Sequence, residues 1–131
     1  NLNLREEIMI DETLLGLVLD KRVSNIKVED NSNNMLSYVE HDNIDDSPTA
    51  KLINIYELAF KCKDWAMIYK FSISSCPCFE NEQASATTKG KRSKNDWSYA
   101  ETECEAIIKE TEWVFDKVIK NKLLKKIPCD A

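Results

Sequence analysis

The chain has 131 residues, a net charge of −5 and only two glycines, Gly16 and Gly90. That length suits a single domain, 1–131, which buries roughly two-thirds of its unfolded surface without staples. Scarce glycine argues against turn-rich β folds, the acidic balance disfavours nucleic acid at long range, and no run of about 18 apolar residues predicts a membrane span.

Taken in order, residues 6–25 are apolar and punctuated by charge. Ile8, Leu15, Val18 and Leu19 share one helical face, with Asp11 placed to cap a helix from Glu12. Gly16 inside it should cost about 1 kcal/mol relative to alanine. A short strand at Ile8–Ile10 is the rival reading.

Residues 25–47 are rich in Asn, Asp and Ser, whose side chains compete for backbone hydrogen bonds, so a long polar loop is expected. Ser47-Pro48 then reads as a helix start. Leu52, Ile55, Tyr56, Ala59 and Cys62 recur at helical spacing behind it, and Asp64 is placed to cap a second helix from Trp65. The alternation Phe71-Ser72-Ile73-Ser74 is the strand-like exception, and Pro77 ends the segment.

A second polar loop is expected over 77–95. A helix over about 97–127 follows, started by Asp96 or by a Ser98–Glu101 capping box and stopped by Pro128. Acid early and lysine late suit its dipole, and Glu105–Lys109 and Asp116–Lys120 are spaced to pair across one turn.

The chemistry-bearing residues are few. His41, the only histidine, stands in Glu40-His41-Asp42 with no nucleophile suggested by spacing. No glycine-rich phosphate loop exists. Cys62, Cys76, Cys78, Cys104 and Cys129 are odd in number, and no Asn-x-Ser/Thr acceptor occurs, which favours a reducing compartment and free thiols. Cys76-Pro77-Cys78 is tighter than a zinc knuckle and lacks a second one. No basic segment followed by an apolar one opens the chain, so no signal peptide is expected.

Two short patterns resemble address signals. Ile26-Lys27-Val28-Glu29 is similar to the acceptor pattern for the ubiquitin-like modifier SUMO, with Lys27 as the modified residue. Lys91-Arg92-Ser93-Lys94 is similar to a basic nuclear-import signal, carried by Lys91, Arg92 and Lys94. Lys-x-Lys-Asp-Trp-Ala at 61–66 and Lys-Asn-Asp-Trp-Ser-Tyr-Ala at 94–100 look alike, and their tryptophans, Trp65 and Trp97, stand 32 residues apart, a spacing that resembles tetratricopeptide and pentatricopeptide repeats, though the small mid-repeat residues are missing.

Charge is uneven: −7 over residues 1–50, balanced over 51–88 and +2 over 89–131.

The expectation is therefore an all-α domain of three to five helices. Its core would hold Leu15, Val18, Leu52, Ile55, Tyr56, Ala59, Trp65, Trp97, Ile108, Phe115 and Leu123. The expected function is a non-enzymatic protein-interaction module, or scaffold, of a nuclear or cytoplasmic regulatory protein, with no cofactor and no metal. Another protein would dock on a surplus apolar stripe of Ile53, Phe60, Met67 and Phe71. The alternatives are a viral helical protein that masks host signalling partners, or nucleic-acid binding through the lysine-rich C-terminal third.

Overall fold

The computed structural model describes residues 10–28, 34–77, 83–90 and 96–120. Among these, helix accounts for 42% and strand for 34%, so the fold is α+β and the all-α expectation is overturned. Three helices and two three-stranded antiparallel sheets make up the described residues. The chain divides into two compact units, with the break at Lys61/Cys62.

In the first unit, helix α1 (Glu12–Leu19) begins where expected. The Asp11 carboxylate accepts from the amides of Thr13 at 3.0 Å and Leu14 at 3.2 Å. Asp20 ends it in a left-handed conformation, φ 57°. Leu14, Leu15 and Leu17 are buried, and α1 packs against strand β1 (Arg22–Val28). Strands β2 (Met35–His41) and β3 (Pro48–Asn54) complete a meander ordered β1-β2-β3.

The segment expected to be a long polar loop thus contains most of β1 and all of β2. Its buried residues, Ile26, Leu36 and Tyr38, are separated by the polar residues of the opposite face. Leu36 pairs with Ile53 and Val23 with Glu40, so Val23, Leu36, Tyr38 and Ile53 share the inner face. Among the described residues, Asn/Asp/Ser turn chemistry of the expected kind appears in the β2–β3 turn. There the Asp42 carboxylate accepts from the amide of Ile44 at 2.7 Å, and Asp42 and Ser47 pair through the backbone at 3.0 Å. The Ser47 amide donates to Asp45, which holds that carboxyl below the usual carboxylate range. Ser47-Pro48 starts a strand rather than a helix. Proline is tolerated there as the first residue of an edge strand.

Helix α2 (Ile55–Ile68) starts seven residues later than Pro48, with the Asn54 side chain accepting from the Tyr56 amide at 2.8 Å. It runs through Asp64 without a break, so the second cap expected at that residue is absent. Its last residues, from Cys62 on, belong to the second unit.

In the second unit, strands β4 (Ile73–Cys76), β5 (Ala84–Thr88) and β6 (Ser98–Ala100) form a meander ordered β4-β5-β6. Of the alternating residues 71–74, Ile73 and Ser74 open β4, while Phe71 and Ser72 precede it. The second expected loop contains β5, whose buried residues are small (Ala84, Ala86, Thr88). Helix α3 (Glu103–Lys120) lies on this sheet, and small side chains let it approach closely.

Its start is later than expected, because Trp97 to Ala100 form the loop end and strand β6. The capping box is Thr102–Glu105: the Glu105 amide donates to Thr102 Oγ1 at 3.2 Å, and that hydroxyl donates to Glu105 Oε1 at 2.8 Å. Asp116–Lys120 forms at 3.3 Å as spaced. Lys109 donates to the Tyr99 carbonyl at 2.8 Å.

Candidate interaction surface

Helix α2 has two unlike sides. Leu58, Ala59, Cys62, Trp65 and Ala66 are buried, whereas Phe60 is 69% exposed, Met67 59% and Tyr56 53%. Residues 56, 60 and 67 lie at spacings of four and seven, hence on one side of the helix. Around them, Lys61 and Glu57 approach to 4.0 Å across one turn, and Asp64 is exposed. The result is an apolar stripe bordered by both signs of charge.

Of the four residues expected to form the stripe, Phe60 and Met67 share this exposed side. Ile53 lies instead in the core of the first unit, 5% exposed, because it sits on β3 rather than on a helix. Phe71 follows α2 and meets Trp113 edge-on, with ring centroids 5.9 Å apart. Tyr56, expected in the core, belongs to the stripe. Leu52 and Trp97, also expected in the core, are exposed, and Val18 and Phe115 are half-buried. Leu15, Ile55, Ala59, Trp65 and Ile108 are core residues, while Leu123 lies outside the described residues.

Lys27 is exposed on β1, although its neighbour Ile26 is buried at 9% exposure. Glu29, the acidic residue of that pattern, and Lys91, Arg92 and Lys94 lie outside the described residues, as do Cys78 and Cys129. Cys62, Cys76 and Cys104 are free thiols. Burial pushes Cys62 up to about 12 and Cys104 up to about 11, which makes both poor nucleophiles. No cluster of three metal-binding side chains occurs among the described residues.

Polar clusters that join residues distant in sequence escaped the sequence reading. In the second unit, Lys63 donates to Ser75 Oγ at 3.0 Å, and Ser75 donates to Glu103. In the first, His41 occupies the end of a strand rather than a loop, with Ser24 Oγ 2.8 Å from its Nε2. Asp46 Oδ1 stands 3.6 Å from Nδ1 and is also paired to Arg22. Seventeen residues separate Ser24 from His41, so only the hairpin register unites them.

No helix among the described residues is long and apolar enough to cross a membrane. No protein-family model, curated protein or solved structure matches this chain.

Proposed function

We propose that the chain is a protein-interaction module whose docking surface is the exposed side of α2. The observation that carries this reading is the exposure of Phe60, 69%, and Met67, 59%, on one face of a helix whose other face is core. Large aromatic and methionine side chains are costly to leave in water and are enriched at interface centres. Another protein would cover this stripe with its own apolar face, in the manner of a helix in a groove. Glu57, Lys61 and Asp64 at its border would set register and association rate. The module would belong to a regulatory protein of the nucleus or cytoplasm.

The test is retention of binding partners by immobilised protein, comparing the parent with Phe60→Ala. The reading predicts that at least one stoichiometric partner is lost in the variant while its melting curve is unchanged. Equal retention by both proteins would refute it.

A further inference from the structure

The outer face of the first sheet carries a second, chemically distinct feature. We propose that Ser24 is an activated nucleophile, with His41 as its base, acylated by small esters with a short apolar acyl group.

A serine hydroxyl is a weak nucleophile unless a base within hydrogen-bond reach takes its proton, and that base works best when a third group orients it. The first condition is met, and a carboxylate stands close to the base for the second. Ser24 Oγ lies 2.8 Å from His41 Nε2. For the hydroxyl to donate there, the ring proton must sit on Nδ1, which faces Asp46 Oδ1 at 3.6 Å. Nδ1 is out of solvent and, among the described residues, has no hydrogen-bond partner. Its proton therefore points at a carboxylate that needs only a small movement to accept it. Such bonds are often long before substrate binds. Arg22 donates to the same oxygen, Asp46 Oδ1, and the Asp46 backbone is held at φ 61° with the amide donating to the Asp42 carbonyl at 3.0 Å.

The backbone beside Ser24 is also irregular. The β1–β2 register shifts between Ser24 and Lys27, and Asn25 adopts a left-handed conformation, φ 52°. Bulges of this kind re-aim side chains and are over-represented next to active sites. Next to Ser24 is a shallow hollow lined by Asn25, Lys27, Ser37, Val39, Ala50 and Leu52. Val39 is the cross-strand partner of Ser24, and Ala50 is in turn the partner of Val39, so the apolar floor begins at the residue paired with the serine. Lys27 pairs with Ser37, two positions from Val39 on β2, which puts it on the same face as Ser24. An acyl chain would lie over Val39, Ala50 and Leu52, with its carbonyl oxygen toward the positive charge of Lys27.

The step balances as follows. Ser24 Oγ bonds to the ester carbonyl carbon while its proton passes to His41 Nε2. The carbon–alkoxy bond then breaks, and the alkoxide leaves as an alcohol with the proton from Nε2. Water, the co-reactant, next attacks the acyl carbon and gives a proton to Nε2. The Oγ–carbon bond breaks, the acid is released and Ser24 recovers its proton.

The experiment is reaction of the whole chain with a fluorophosphonate probe, followed by peptide mass spectrometry. The expected result is a single adduct on Ser24 that forms far faster than on any other serine of the chain. That selectivity should vanish in urea, where His41 is no longer held beside Ser24. His41→Gln should slow the adduct by about 100-fold or more, with a melting curve run alongside. The proposal is overturned if native Ser24 reacts no faster than the remaining serines, or if it reacts equally fast in urea. A folded His41→Gln variant that labels at the parental rate overturns it as well.

Discussion

Glu110 is fully buried, and its carboxylate accepts from the hydroxyls of Thr88, at 2.7 Å, and Ser98. It thereby ties α3 to β5 and β6 through side-chain hydrogen bonds. Glu110→Ala would leave the buried Thr88 hydroxyl unsatisfied and should cost about 2–3 kcal/mol. Thr88→Val keeps the shape but takes a donor from the buried Glu110, so it too should cost about 1–3 kcal/mol. Urea denaturation midpoints of the two variants check both values.

The buried thiols give stability a pH dependence of definite sign. Cys62 and Cys104 stay protonated in the folded chain, with values raised from 9.0 to about 12 and about 11. In the unfolded chain they ionise near the ordinary value, so alkali favours unfolding. Their contribution is complete below 9.0 and is lost as pH rises toward the folded values. Stability should therefore fall above that point, and Cys62→Val should flatten part of the fall. Denaturation midpoints measured across the alkaline range decide it.

Among the helices, α1 contains the substitution that most clearly separates propensity from packing. Replacing a helical glycine with alanine ordinarily gains about 1 kcal/mol. At Gly16 an added Cβ would lie 2.7 Å from the backbone oxygen of Lys21, and the Gly16 carbonyl accepts from the Lys21 amide at 3.0 Å. Gly16→Ala should therefore lower the melting temperature. Thr102→Ala, which removes the capping box of α3, should cost about 1 kcal/mol.

The sequence showed α1 and its Asp11 cap clearly, because cap and apolar stripe are both local. The central part of the last helix was equally legible from its long periodic stripe and graded charge. The sheets were not. Ala84-Ser85-Ala86-Thr87-Thr88 has the composition of a loop and becomes a strand because its small buried residues admit α3. The same tertiary demand turns Leu52 and Ile53 to opposite faces of β3, where a helical reading would have put them on adjacent sides. Phe60 and Met67 survived this error because the segment that holds them is helical. The Ser24–His41 pair depends on strand register, which no local pattern encodes.

For the whole molecule, the second unit rests on the chain beyond Asp96, which supplies β6 and all of α3. Ile107, Ile108, Val114 and Val118 of α3 are buried at 4% exposure or less. A chain ending at Asp96 should lose the cooperative unfolding of that unit, read as a broadened thermal transition by circular dichroism. A parental transition would mean that the unit's sheet is covered by something other than α3.

The central claim is that the exposed side of α2 is a docking surface, and the most direct measurement is made on Phe60. Partner retention and thermal melting should be read on the same preparation of Phe60→Ala. Because Phe60 is 69% exposed, its truncation should change stability by about 0.5 kcal/mol or less, as for other surface substitutions. The account predicts that retention is lost while melting stays at the parental temperature. Retention at the parental level, or destabilisation by about 3–5 kcal/mol as for a core phenylalanine, would contradict it.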